Sequence, residues 1–211
     1  GGLAGVPIVV ARAAGQRRPL HPPRRPPQPG PGRAVQIGLI ARERQPHPTN
    51  DVLGDKNDQV TYEMGVGWRH YHVAEMLTVL TGPRVDDLHL AMHAACVEAL
   101  GAVQDTLRPG KTLGEIFEVH RATFARRGWE HAILKACGYP MGATFPPDWM
   151  EQPMIYRDNP FVLAENMVFF THMILSDQRS GLIMSLGETS IITRDRPEVI
   201  TNVPREAVIR G

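Results

Sequence analysis

Residues 85–128, VDDLHLAMHAACVEALGAVQDTLRPGKTLGEIFEVHRATFARRG, decide the fold class, because they read as two consecutive helices joined by a tight turn. In the first, Leu88, Met92, Cys96, Leu100 and Val103 recur at intervals of four, four, four and three. That spacing gathers apolar side chains on one helix face. Asp86 and Asp87 suit its electropositive N-terminus, and Arg108-Pro109-Gly110 ends it, so a helix is predicted over 85–107. The second starts at Thr112, whose Thr-x-x-Glu pattern with Glu115 is a capping box. It runs through Ile116 and Val119 to Arg127 and stops at Gly128, a residue able to take the left-handed C-terminal cap.

Outward from the helix pair the text alternates. Upstream, Gln59 to Met64 and Tyr71 to Leu80 read as strands of a meander, separated by Gly65-Val66-Gly67. Downstream, strands are expected around Tyr139 to Phe145, Met167 to Leu175 and Thr189 to Thr193. Two antiparallel helices followed by a twisted sheet make an α+β layer. Residues 1–36 form a separate region. Between Gln16 and Gly32, Arg, Pro and Gly dominate, denying the backbone its ladder donors and offering little to bury, so this segment is expected to be disordered or non-native. Residues 37–211 are the folded domain.

Charge follows the same division. Seven arginines and no acidic residue precede Glu43, leaving 16 of the 23 basic residues against all 22 acidic ones, a net of −6. A nucleic-acid-binding body carries the opposite sign, so a small-molecule or short-peptide substrate is expected and nucleic acid is not. The apolar runs, such as Phe161 to Ala164 and Met167 to Phe170, are too short to span a bilayer, and the start has no signal-peptide pattern. Cys96 and Cys137 make no disulfide framework, which points to a reduced, cytoplasmic compartment.

Three motifs carry a family resemblance. They are Arg108-Pro109-Gly110-Lys111-Thr112, then Gly138-Tyr139-Pro140-Met141-Gly142 followed by Pro146-Pro147-Asp148-Trp149, then the strand pair Met167 to Leu175 and Gly187 to Thr193. In this order and spacing, over roughly residues 37 to 203, the chain resembles the creatinase / Xaa-Pro aminopeptidase / methionine aminopeptidase superfamily. Within it the chain is most similar to creatinase-like hydrolases of the ectoine hydrolase kind. The resemblance implies a pita-bread fold: a curved antiparallel sheet with helix pairs on one face, built as two related halves. The first half is incomplete here, because the Pro/Arg segment stands where its helix pair belongs. A homodimer is left open.

The resemblance also implies site positions. Members that use metal hold two divalent ions with two Asp, one His and two Glu, ligands suited to activating water. The five positions fall on Glu63, Ala74, Tyr139, His172 and Gly187, of which only Glu63 and His172 carry a ligating side chain. No metal is therefore expected, with a two-ion site as the alternative. A slip of one residue would bring in Glu75 and Glu188, but such a slip turns a strand's side chains to the opposite face.

Without metal, the resemblance implies a creatinase-type strategy, in which a histidine near neutrality moves protons while a C–N bond is hydrolysed. His47 and His72 are the proton-transfer candidates, and Glu63 orients a histidine or holds a substrate cation. His172, Tyr139 and Trp149 would shape the pocket. For each a plainer reading stands beside the first: His47 as a surface-loop residue, His72 with Glu63 as a buried pair, His172 as a core histidine, and Trp149 as loop packing. Two rivals to the hydrolase remain, an Xaa-Pro metallopeptidase and a degenerate non-catalytic paralogue.

Overall fold

The computed structural model describes residues 34–42, 58–68, 71–81, 85–143, 149–201 and 203–210. Its elements are β1 (Ala34–Arg42), β2 (Asp58–Trp68), β3 (Tyr71–Thr81), α1 (Asp87–Thr106), α2 (Leu113–Arg126), a 3-10 turn (Glu130–Ala132), β4 (Gly138–Pro140), β5 (Val168–Asp177), β6 (Leu182–Ile191), β7 (Glu198–Val199) and β8 (Val208–Arg210). One sheet has the order β1-β2-β3-β6-β5-β4, with β7 on β6 and β8 on β3. Two antiparallel triplets thus meet at the β3–β6 seam, through Met76 opposite Gly187 and Leu77 opposite Leu186. The helix pair precedes the second triplet, and α1 lies against β5 and β6. This is the α+β, one-sided arrangement that the sequence predicted.

Local chemistry fixes the helix ends. Asp86 accepts a hydrogen bond from the Leu88 N–H at 2.9 Å. Thr112 and Glu115 exchange hydrogen bonds, the Glu115 N–H giving to the Thr112 hydroxyl at 3.1 Å and the Thr112 N–H giving to the Glu115 carboxylate at 2.8 Å. Each such cap satisfies donors that the first turn leaves without helical partners. Gly128 takes a φ of +79°, the left-handed conformation expected of it. The stripe Met92, Cys96, Leu100 and Val103 is wholly buried, sharing one core with Phe169, Met173 and Leu175 of β5 and with Met184 and Leu186 of β6.

Strand limits change in several places. β2 does not stop at Met64: Gly65-Val66-Gly67, expected to separate two strands, pairs with β3 within it, and it runs on to Trp68. Of the strand foreseen from Tyr139 to Phe145, the described residues carry only Gly138–Pro140, and residues 144 and 145 lie outside them. After the Met141 N–H bonds the Val168 carbonyl, the Ala143 N–H is taken by the Glu151 carboxylate, which draws the chain off the sheet. The strand expected at Thr189 to Thr193 begins at Leu182 and ends at Ile191. β1, which no alternation signal marked, starts at Ala34, inside the segment assigned to residues 1–36.

Sidedness follows from register, since residues directly opposite on paired strands share a face. Glu63 is opposite Met76, Gly65 opposite Ala74 and Gly67 opposite His72. His172 is opposite Gly187, Phe170 opposite Thr189, and Tyr139 opposite Phe170. All of these therefore lie on the face turned away from the helices. The intervening residues, including Met173, Leu186 and Glu188, point to the helix side.

Candidate active site

The helix-free face carries a hydrogen-bonded chain of three side chains from three segments. Trp149 donates its indole N–H to the Tyr139 hydroxyl at 3.0 Å, and that hydroxyl donates to Glu63 Oε1 at 2.9 Å. Because the hydroxyl accepts from Trp149, its own proton is directed at the carboxylate. Tyr139 is only 1% exposed, so the chain is built into the structure. Burial raises the Glu63 pKa above the ordinary carboxylate value, and the Tyr139 hydrogen bond opposes that rise.

His172 stands beside this chain. Its ring lies 5.7 Å from that of Tyr139 and 5.9 Å from that of Phe170, centroid to centroid. At 6% exposure, burial holds its pKa down to about 4, so the imidazole is neutral at pH 7. Its Nδ1 is buried with no hydrogen-bond partner. A buried, unpaired ring nitrogen carries a desolvation cost that a bound polar group would relieve.

The floor is made of small residues covered by large ones. A Cβ added to Gly65 would meet the Trp149 ring at 2.6 Å, and one added to Gly187 would meet Phe170 Cζ at 2.6 Å. Ala74, Met76, Tyr139, Met141, Trp149 and Phe170 form their own buried cluster, separate from the helix-side core. Further along the seam the buried hydroxyls of Thr61, Thr78 and Ser185 bond one another at 3.0 to 3.3 Å, joining β2, β3 and β6. Thr189 pins the same seam, its hydroxyl accepting from the Ala74 N–H at 3.0 Å and donating to the Ala74 carbonyl at 2.7 Å.

Four of the six expected site residues, Glu63, Tyr139, Trp149 and His172, meet in this layer. His72 is buried on the same face, but it is four residues along β3 from Met76, the partner of Glu63. At the rise of a strand this is about 13 Å. The Glu63–His72 pairing allowed by their neighbouring strands is therefore not made: the register gives Glu63 to Tyr139 instead. His47 lies outside the described residues. Phe170 is the residue that sequence reading missed. Its position two before His172 already placed it on the site face, but only the fold shows its ring over Gly187.

The five positions that bear ligands in metal-dependent relatives do not form a fitting donor set. Ala74 and Gly187 offer no donor, the space over Gly187 is taken by Phe170, and the Tyr139 hydroxyl is engaged at both ends. Among the described residues no group of three or more His, Cys, Asp or Glu side chains is placed to hold a metal ion. Glu75 and Glu188 do not supply the deficit. They flank the Met76–Gly187 pair on the helix face, where Arg205 binds Glu188 through two hydrogen bonds of 2.6 Å.

A one-sided antiparallel sheet of two triplets, with its polar and aromatic layer on the helix-free face, defines the pita-bread class. Residues 30–194 match the model of metallopeptidase family M24, and the chain belongs to that family. It is 26% identical over 167 residues to the ectoine hydrolase of Halomonas elongata, covering 78% of this chain and 41% of that protein. It is 27% identical over 165 residues to an uncharacterized hydrolase/peptidase, y4tL, of Sinorhizobium fredii, covering 76% of this chain and 39% of that one. The chain thus spans about two fifths of the length of these relatives. Among solved structures, the X-Pro aminopeptidase of Thermotoga maritima superposes with a TM-score of 0.70 at 19% identity, over 83% of this chain and 48% of that one. At that identity the likeness speaks for the fold.

Proposed function

We propose that this domain is the catalytic-type half of a creatinase-like hydrolase that cleaves a C–N bond in a small zwitterionic or amidine-type compound without a metal ion. The observation that carries the proposal is the donor set. Where metal-dependent relatives need five ligands, this chain has Glu63 and His172, with Ala74, Tyr139 and Gly187 at the other three positions, and Phe170 fills the space over Gly187. Water would then be activated by a base rather than by a Lewis acid.

In this reading Glu63 holds a cationic substrate group, with its proton balance set by burial and by Tyr139. His172, neutral and with a free Nδ1, accepts or relays a proton. Trp149 and Phe170 exclude water and give the substrate's flat, apolar part a surface to lie on. His47 and His72 remain the candidates for the remaining proton transfers. Two free, buried cysteines fit a reducing cytoplasmic setting, and among the described residues no helix is long and apolar enough to cross a membrane.

The experiment is metal analysis of the purified protein, followed by assay on cyclic amidines, creatine-like compounds and Xaa-Pro peptides with and without chelator. Chelator-insensitive hydrolysis of the small compounds, with metal far below one ion per chain, is the expected outcome. Two bound ions with Xaa-Pro cleavage would replace this reading with the metallopeptidase. A second reading, a paralogue without catalysis, is favoured by how closely Trp149 and Phe170 fill the face. A cooperative melt with no turnover on any of these substrates would select it.

A further inference from the structure

On the helix face of the β3–β6 seam, Glu75 and Glu188 are 7% and 4% exposed; Arg205 is bonded to Glu188 and acts on Glu75 through its charge alone. Arg205 donates from Nε to Glu188 Oε1 and from Nη2 to Glu188 Oε2, each at 2.6 Å. Its Nη2 also gives to Gln104 Oε1 at 2.5 Å, and Gln104 returns a bond from Nε2 to Glu188 Oε2 at 2.8 Å. Glu188, Gln104 and Arg205 therefore satisfy one another. Glu75 is left over, with its Oε2 buried and without a hydrogen-bond partner. Two carboxyls against one guanidinium leave one negative charge unbalanced if both ionise, and in a buried site such a charge is expensive.

Arg205 belongs to the segment 203–210, which is also attached by the three-residue strand β8, parallel to Val79–Thr81 of β3, and by His93 of α1 at the Arg205 backbone. The Arg205 bonds to Glu188 and Gln104 anchor the same segment from beneath. We propose that segment 203–210 is a strap governed by the protonation of Glu75, held more tightly at mildly acidic than at mildly alkaline pH.

The neighbours of Glu75 are accounted for from every side. Across β3–β2 it faces Met64, which carries no charge. From β6 comes Glu188, and from the strap Arg205, with the Thr201 hydroxyl nearby. On α1, Asp105 acts on Arg205, and His93 contacts the Arg205 backbone with Glu206 beside it. Burial, with the Glu188 charge adding to it, pushes the Glu75 pKa up to about 8 against the opposing pull of Thr201 and Arg205. Opening the strap admits water and returns the carboxyl towards its ordinary 4.5. Between those two values the closed form holds a proton that the open form lacks, so closure weakens as pH rises and levels off above about 8. His93, whose pKa burial holds below 6.5, acts in the opposite sense only at lower pH. A comparison made above its ordinary pKa therefore isolates Glu75.

Amide hydrogen exchange of segment 203–210 in the full chain, corrected for intrinsic rates, tests this between pH 6.5 and 8. Protection should fall by up to tenfold per pH unit at the acidic end and by roughly fifteenfold over the interval, the slope flattening as pH nears 8. Glu75→Gln, which copies the protonated carboxyl, should abolish the slope. Constant protection in the native protein, or an unchanged slope in the variant, would overturn the proposal. Should the variant not fold, trypsin cleavage after Arg205 in the native protein, scaled to cleavage of a free peptide, decides the matter. A rise with the same pH slope supports the strap, and a flat profile sinks it.

Discussion

The two faces of the β3–β6–β5 sheet use the same strands to opposite ends. On the helix face, α1 and α2 close a continuous apolar core, and the acids Glu75 and Glu188 are confined to its rim with Arg205 and Gln104. On the other face the same two strands present Ala74 and Gly187, covered by aromatic rings and tied by hydroxyls. One residue of register separates an acid from a glycine. A carboxylate's presence in a motif therefore says little until its face is known.

Four measurements test the contrast between the faces. The largest effect is expected from Gly187→Glu, which restores a carboxylate to the site face. It must displace the Phe170 ring and bury an unpaired charge, costing about 4 kcal/mol in a denaturant melt. If the variant instead keeps its stability and acquires bound metal, the Phe170 ring does not close the space over residue 187. On the helix face, Leu100→Ala removes a wholly buried side chain from the main core and should cost about 3 kcal/mol by the same assay.

The helix side also carries an acid sensitivity. His120 is packed between Phe117 and Phe124 of its own helix, and burial, with His172 adding to it, holds its pKa down to about 3 from 6.5. A depressed folded pKa means stability that is complete above 6.5 and is lost as pH falls toward 3. Between pH 6.5 and 4.5 the loss should be about 2.5 kcal/mol. His120→Leu should remove that component from the difference between melts at the two pH values. An unchanged difference would mean that the ring is not desolvated as the fold implies.

The smallest effect is expected from Tyr139→Phe. It keeps the packing and deletes the hydroxyl between Trp149 and Glu63, costing about 1 kcal/mol. Its clearer signature is the Glu63 carboxyl, which loses the bond that lowers its pKa and should titrate at still higher pH. Carbon-13 NMR of the carboxyl, native against variant, reads the shift directly. A downward shift would remove Tyr139 as the partner that sets its charge.

Much of the fold was legible because helices announce themselves locally. The four-residue apolar spacing, Asp86, the Thr112–Glu115 box and Gly128 each act within a turn of chain, and all four behave as read. Strand limits were less legible. β4 is cut short by a carboxylate from Glu151, eight residues from the Ala143 N–H that it accepts. The start of β6 depends on pairing with β5 across a turn that alternation alone did not mark. In the site, Glu63, Tyr139, Trp149 and His172 could be named from their motif positions, whereas their bonding to one another could not.

Local sequence sets which side chains are available: an α+β chain with capped helices, two potential ligands among five family positions, and small residues at Ala74 and Gly187. Tertiary structure alone decided what fills the space those small residues leave, that Glu63 bonds Tyr139 rather than His72, and that Arg205 reaches back from the end of the chain to Glu188 and Gln104. The physical reason is range. Caps and periodicity act over three or four residues, while register, ring packing and buried ion pairs join positions tens to a hundred residues apart, which only the folded sheet brings together.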